Sequence, residues 1–87
     1  MAGTEEIKTN NIYFYPNPVS ENLMIEKNRQ NEEAEIKIYD IAGILLKSEK
    51  LDQFRNNIYV GDLENGVYVL VVELKDFNST QKLLIQR

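Results

Sequence analysis

The end of the sequence carries two strand patterns around one polar turn. Residues 67–74 are apolar at almost every position, residues 76–79 (Asp-Phe-Asn-Ser) are mostly polar and typical of a turn, and residues 82–87 alternate, with Leu83 and Ile85 on one side. A long apolar run indicates a strand that is central and covered on both faces, and alternation indicates a half-buried strand. The pattern predicts two antiparallel neighbours, the second of which contains the last residues of the sequence.

The rest of the chain repeats short patterns of the same kind. Further runs of β-branched, aromatic or alternating residues are 12–15, 23–26, 34–40, 44–48 and 57–60. In the clearest run, Ala34, Ile36 and Ile38 alternate with charged residues. The turn residues 40–43 follow it, so this run and residues 44–48 are expected to form a hairpin. No segment shows helical periodicity. This spacing predicts an all-β fold, an antiparallel immunoglobulin-like β-sandwich of about seven short strands.

The residue types and the net charge argue against several classes of function. The chain has no Cys and no His, so the usual general base, thiolate nucleophile and metal ligands are missing. The net charge is -4 and the ten basic residues are scattered, which argues against nucleic-acid binding. No apolar run reaches the roughly 20 residues that span a bilayer. We therefore expect no enzyme, catalytic residue, metal, cofactor, nucleic-acid partner or membrane insertion.

The first residues differ in composition from the rest. Residues 1–11 are polar, contain Gly3, Asn10 and Asn11, and show no strand periodicity. We interpret them as a linker or a remnant of a connection between domains. Residues 12–87 then form the folded domain.

One tyrosine occupies a position known from immunoglobulin-like domains. Tyr68 opens the next-to-last strand pattern, just after a turn, with Leu70 two residues on. A corner tyrosine packs its ring in the core and bonds a main-chain carbonyl with its hydroxyl. We favour this structural role for Tyr68 over a role in recognition, with Leu70 filling the volume that a disulfide occupies in antibody domains.

Taken in order, five segments resemble a known family. They are residues 15–19 (Tyr-Pro-Asn-Pro-Val), 23–25, 38–43 (Ile-Tyr-Asp-Ile-Ala-Gly), 63–68 (Leu-Glu-Asn-Gly-Val-Tyr) and 82–85 (Lys-Leu-Leu-Ile). Together they resemble the type A C-terminal sorting domain of the type IX secretion system, or Por secretion system. The resemblance runs from about Asn11 to Arg87, and its specificity lies in the order and spacing of the segments.

The resemblance implies a function as well as an immunoglobulin-like fold. Residues 12–87 are then a sorting signal attached to an N-terminal cargo domain, which crosses the periplasm and passes through the outer membrane to the cell surface or the medium. The partners implied are the outer-membrane secretion machinery, its shuttle protein and a sortase-like surface protease that removes the domain. The processing point lies within or upstream of residues 1–11. The domain is a ligand and a substrate, not an enzyme.

The family's short motifs are intact here. Its Pro-Asn-Pro motif falls on Pro16, Asn17 and Pro18, and its Gly-x-Tyr motif on Gly66 and Tyr68. Two prolines fix a corner, and the asparagine between them can bond a neighbouring amide in an Asx-type turn. Gly66 is expected at positive φ. Turn chemistry alone explains much of these motifs.

The basic position of the last strand falls on Lys82. Lys82 and Leu84 share one face of this strand, which gives a charged and an apolar contact side by side. If the strand lies at a sheet edge, a partner can add a strand there or dock on this face; Lys82 can equally serve only to keep the edge soluble. We predict that residues 82–87, including Ile85 and Arg87, are a principal contact for the secretion machinery.

Other readings remain open at this stage. Tyr13, Tyr15, Tyr39 and Tyr59 form an aromatic platform if they share an exposed face, as in a carbohydrate-binding or adhesin-type module. A spacer or oligomerisation domain instead shows a large self-paired apolar surface. Residues 62–65 offer oxygen ligands for calcium, without a defined ligand loop.

Overall fold

The computed structural model describes residues 5–9, 12–27, 33–75 and 77–87. Among them it contains eight strands and no helix. The strands are β1 (Glu5–Thr9), β2 (Ile12–Asn17), β3 (Asn22–Lys27), β4 (Ala34–Tyr39), β5 (Leu45–Lys50), β6 (Arg55–Tyr59), β7 (Gly66–Leu74) and β8 (Phe77–Ile85).

The strands form two antiparallel sheets. The first sheet has the order β1-β2-β3-β6, and the second has the order β5-β4-β7-β8. The chain crosses from the first sheet to the second between β3 and β4, returns for β6, and crosses again before β7. This two-sheet arrangement confirms the predicted immunoglobulin-like sandwich.

The inward-facing residues of both sheets make one core. From the first sheet and its connections come Ile12, Phe14, Val19, Leu23, Ile25, Leu51, Ile58 and Val60. The second sheet contributes Ala34, Ile36, Ile38, Tyr68, Leu70, Val72, Leu74, Leu83 and Ile85. Burial of alternate apolar side chains drives this packing, because strand side chains point in turn to opposite faces. The predicted inward face of β4 is confirmed.

The turn between β4 and β5 is closed by one aspartate. The Asp40 carboxylate accepts hydrogen bonds from the main-chain N–H groups of Ala42 and Ile44, both at 2.9 Å. Gly43 lies at φ 90°, a conformation that side chains with a Cβ rarely adopt. The predicted hairpin is confirmed, and its tip exposes Ile41 and Ile44.

The strand count exceeds the expected seven because the chain pairs earlier than its pattern suggests. Glu5–Thr9 forms β1, antiparallel to β2. These residues lack strand periodicity and yet form a strand. The assignment of residues 1–11 as a linker or a remnant of a connection between domains stays a prediction, and residues 1–4, 10 and 11 lie outside the described part. The free N–H and C=O groups of β2 stabilise a neighbouring strand whether or not its side chains alternate. The domain start at residue 12 stays a prediction.

Two details around β7 also differ from expectation. Ser79 pairs with Val72 inside β8, so residues 77–79, which were expected in a turn, belong to the strand. The outer face of β7 is covered incompletely, since Val67 is 44% exposed and Val69 and Val71 are half-buried. The apolar run predicted a central strand correctly, but only one of its faces lies in the core.

Candidate recognition site at the terminal strand

The last strand lies at an edge and is anchored in the core. Among the described strands of the second sheet, β8 pairs with β7 alone. Leu83 and Ile85 are 0% and 1% exposed, while Lys82 is exposed and Leu84 is half-buried on the opposite face. The predicted alternation is confirmed. Lys82 and the outer side of Leu84 are therefore accessible from outside the folded domain, whereas the side chain of Ile85 points into the core.

Asn17, the centre of the Pro-Asn-Pro motif, contacts this strand directly. Its side-chain amide donates to the carbonyl of Lys82 at 3.2 Å, and its Oδ1 accepts from the N–H of Leu84 at 3.1 Å. These partners are 65 and 67 residues away in sequence. The expected local Asx-type turn is therefore wrong, because Asn17 ends β2 beside the edge of β8 and its amide imitates a neighbouring strand.

Val19 continues the same edge contact with its main chain. Its N–H donates to the carbonyl of Leu84, and its carbonyl accepts from the N–H of Gln86, both at 2.9 Å. This is an isolated parallel bridge between Val19 and Ile85. Pro16 and Pro18, each preceded by a cis peptide bond, flank Asn17. Residues 16–19 thus form the edge cover of β8, a term kept below for this segment.

The Gly-x-Tyr motif lies at the start of the neighbouring strand. Gly66 opens β7 at φ 156°, in agreement with the predicted positive φ. The Tyr68 ring is 8% exposed, and its hydroxyl donates to the carbonyl of Glu64. Leu70 is fully buried. The structural role predicted for Tyr68 is confirmed: it is a corner tyrosine that fixes the turn before β7.

The last residue of the sequence is held on several sides. The Arg87 guanidinium donates to the main-chain carbonyls of Ser20, Val60 and Leu63. The main-chain N–H of Arg87 donates to the Oδ1 of Asn65 at 3.1 Å, and the side-chain amide of Asn65 donates to the main-chain carbonyl of Arg87 at 3.4 Å. Sequence reasoning missed Asn65, since a residue typical of turns gives no sign that its side chain reaches another strand.

Lys82 lies among apolar neighbours on the outer face of the second sheet. Val69 is directly opposite Lys82, Val67 is opposite Leu84, and Tyr39 pairs with Val69 on its other side. Cross-strand pairs of this kind are close enough for their side chains to interact. The described residues offer Lys82 no ion pair, so its ammonium group is available to an anionic partner.

Other lysines of this sheet have carboxylate partners. Lys37 lies 3.2 Å from Glu73, and the hydrogen bond and charge of Glu73 raise the pKa of Lys37. Lys47 lies 2.9 Å from Asp62, and its hydrogen bond lowers the pKa of the Asp62 carboxyl. Asp62 is thus engaged with a lysine, in the segment considered above for calcium.

The four candidate platform tyrosines do not share a face. Tyr13 and Tyr15 on β2 and Tyr59 on β6 lie on the outer side of the first sheet, whereas Tyr39 belongs to β4 of the second. The Tyr59 ring also lies against the backbone of Gly61, where a Cβ would meet its hydroxyl. This arrangement does not support the carbohydrate-binding or adhesin-type alternative.

Fold and site together define a small β-sandwich whose last strand is part of the folded sheet and lies at its edge. A family model described as a secretion system C-terminal sorting domain matches residues 13–86. The chain therefore belongs to the type IX secretion C-terminal sorting domain family, and the resemblance drawn from its motifs is confirmed. No curated protein matches the sequence. The described residues include no helix with the length and apolar character of a membrane span.

Membership in this family defines the general function of the domain. The domain is a C-terminal sorting signal for type IX secretion, which implies interaction with the secretion machinery and export through the outer membrane to the cell surface or beyond. The edge cover and the Gly-x-Tyr corner show what two of the motifs do structurally. One supports the last strand from its open side, and the other fixes the start of its paired neighbour.

Proposed function

We propose that this domain directs a cargo protein attached to its N-terminus through the outer membrane, and that the machinery recognises the terminal strand while the domain is folded. The shuttle protein and the outer-membrane machinery bind the exposed side of residues 82–87. A sortase-like surface protease then removes the domain. In this proposal the domain acts as ligand and substrate, and performs no catalysis.

One observation carries the proposal. The family match covers nearly the whole chain, and within it the Pro-Asn-Pro motif hydrogen-bonds the last strand through Asn17. Two segments of the family pattern, far apart in sequence, therefore meet at one edge. This contact supports recognition of a folded surface, because the edge cover can hydrogen-bond the last strand only when the domain is folded.

The central test is a fusion of the whole chain to the C-terminus of an inert reporter with an export signal, in a host that has this secretion system. We expect the reporter on the surface or in the medium, with the domain removed. The same reporter without the domain is the control and stays in the periplasm. Periplasmic retention of both proteins contradicts the sorting function, whereas export of an untrimmed fusion contradicts only the protease step.

The terminal contact needs a surface variant. Deleting residues 82–87 removes Leu83 and Ile85 from the core, so a loss of export would reflect unfolding as well as lost recognition. Lys82→Ala alters only an exposed side chain. We expect it to lower export, with Lys75→Ala, an exposed lysine in the turn before β8, as the matched control. Equal export of both variants excludes Lys82 as a contact.

The position of the cut follows from the pairing of β1. Proteases bind extended, unpaired chain, and exposed unpaired segments are the usual sites of cleavage. Because Glu5–Thr9 is paired with β2, we expect the cut N-terminal to Glu5. Mass spectrometry of the released domain measures its first residue directly. A first residue within the paired stretch would show that β1 detaches before cleavage.

A further inference from the structure

The outer edge of β8 has two halves with different surroundings. Its downstream half runs from the carbonyl of Lys82 to the N–H of Gln86 and is bonded by Asn17 and Val19. Its upstream half, from Asn78 to the N–H of Lys82, lies beyond the edge cover. A partner that adds a strand to this edge therefore has the upstream half to use.

Strand geometry determines which main-chain groups the upstream half presents. Both main-chain groups of Leu84 bond the edge cover, so they point away from β7. In an antiparallel pair, residues two apart direct these groups to the same side. Asn78, Thr80 and Lys82 therefore direct their N–H groups away from β7. The carbonyls of Asn78 and Thr80 point the same way, which gives five outward main-chain groups. None of the described residues hydrogen-bonds these five groups.

The side chains leave this stretch accessible. Asn78, Thr80 and Lys82 are all exposed. The register between β7 and β8 has no bulge from Gly66 to Phe77, so the edge is regular. Natural sheets usually block such an edge with proline, a bulge or several charges. Here a single lysine, without a carboxylate partner among the described residues, stands at one end.

We infer that this open edge, Asn78 to Lys82, is the place where a protein of the export machinery adds an extended strand to the second sheet. The inference rests on the proposed sorting function. The main-chain pattern requires an extended backbone as occupant, since β-augmentation satisfies N–H and C=O groups at this spacing. An acidic side chain of the added strand pairs with the ammonium group of Lys82. The amide of Asn17 limits the added strand at its downstream end.

Proline substitution at the centre of the edge tests this arrangement. Thr80→Pro removes an outward N–H that the folded domain does not use, and its ring obstructs an added strand. Ser48→Pro on β5 is the matched control: β4 directs Ile36 and Ile38 toward β5, so Ser48 also has an outward N–H. This control also loses the exposed hydrogen bond from the Ser48 hydroxyl to Glu35. Thermal unfolding of both variants is measured first, and we expect melting temperatures close to each other.

Export of the reporter fusion is the main measurement. We expect Thr80→Pro to lower export roughly tenfold or more, the effect of losing two or more hydrogen bonds, and Ser48→Pro to retain it. Lys82→Glu is the second variant, and Lys75→Glu is its control. If Thr80→Pro melts at a lower temperature than Ser48→Pro, the export of Lys82→Glu decides the outcome. Reduced export by Lys82→Glu but not by Lys75→Glu supports the acidic strand.

The outcomes separate the two proposals. Failure of the unaltered fusion to leave the periplasm overturns the sorting function and the inference together. Export of the unaltered fusion with equal export of Thr80→Pro and Lys82→Glu overturns the inference and leaves the sorting function intact. Analytical ultracentrifugation tests a second copy as the occupant. A dimer that Thr80→Pro dissociates would assign the edge to self-association and overturn the inference.

Discussion

The two edge strands of the second sheet, β8 and β5, differ in how they are held. In β8, Leu83 and Ile85 are completely or almost completely buried. In β5, Leu45 and Leu46 are 48% and 39% exposed, and every residue but Lys47 is exposed. Both strands have one paired neighbour, so edge position alone does not determine how firmly a strand is integrated.

The difference lies in the sequence distance of the contacts. β8 is bonded by Asn17, and Arg87 beyond it reaches Ser20, so residues from the beginning and the end of the domain meet here. The side-chain bonds of β5 go to Glu35 and Asp62, 13 and 15 residues away. The sandwich must close before the contacts of β8 exist, whereas a hairpin alone supplies most contacts of β5. We expect β8 to unfold with the whole domain and β5 to open locally.

Core truncation gives the largest effect and tests this contrast directly. Leu83→Ala leaves a cavity under β8 and should reduce the free energy of unfolding by about 2 to 5 kcal/mol. Leu46→Ala on β5 should change it by less than about 1 kcal/mol, because that side chain remains partly in water. Urea unfolding followed by circular dichroism measures both. Similar losses in the two variants would show that β5 belongs to the cooperative core.

The next effect concerns the edge cover. Asn17→Ala leaves a carbonyl and an N–H of β8 without their partner and should cost about 1 to 3 kcal/mol. Asn57→Ala, an exposed asparagine on β6, should cost no more than about 0.5 kcal/mol. Amide hydrogen exchange adds a local measurement: protection of Leu84 should fall in the first variant only. Unchanged protection there would remove Asn17 from the support of β8.

A smaller effect is expected at the end of the strand. Arg87→Ala removes three guanidinium contacts with main-chain carbonyls while the main-chain bonds to Asn65 remain, and should cost about 1 kcal/mol, since the side chain is exposed. Arg55→Ala breaks an exposed pair with Glu26 and should cost about 0.5 kcal/mol or less. Thermal unfolding compares the two variants. Equal losses would mean that Arg87 acts only as another surface charge.

The smallest effect separates the strands by pH. The Lys47 hydrogen bond lowers the pKa of Asp62 below its ordinary 3.8, so this tie between β5 and the β6–β7 connection is present above that pH and is lost as pH falls through the folded value. The Asn17 amide does not titrate. Acidification should therefore loosen β5 in amide exchange while β8 stays protected, and Asp62→Asn should abolish this acid-dependent loosening of β5. Equal loosening of both strands in the unaltered protein would contradict this assignment.

Several features were predictable because they depend on neighbouring residues. The inward face of β4, the β4–β5 turn, the corner role of Tyr68 and the outward face shared by Lys82 and Leu84 all follow from alternation or turn chemistry. The function followed from the order of the motifs and is confirmed at the level of the family. The residues predicted to contact the machinery stay a prediction.

Other features had no local signal. β1 pairs because β2 offers a free edge, although the residues of β1 show no alternation. The bonds from Asn17 to β8 and from Asn65 to Arg87 join segments whose distance in sequence conceals their proximity. An asparagine in a turn motif is expected to bond locally, and only the position of a second strand redirects it.

The sequence by itself determined the all-β fold class, the core-facing side of most strands and the family. The reason is that period-two alternation and the order of the motifs can be read directly along the chain. Tertiary structure alone decided that the Pro-Asn-Pro motif supports the last strand and that no described residue hydrogen-bonds the outward main-chain groups from Asn78 to the N–H of Lys82. The physical reason is that a hydrogen bond depends on distance in space. Folding of two sheets onto one core brings Asn17 next to Leu84, and no pattern within either segment contains that distance.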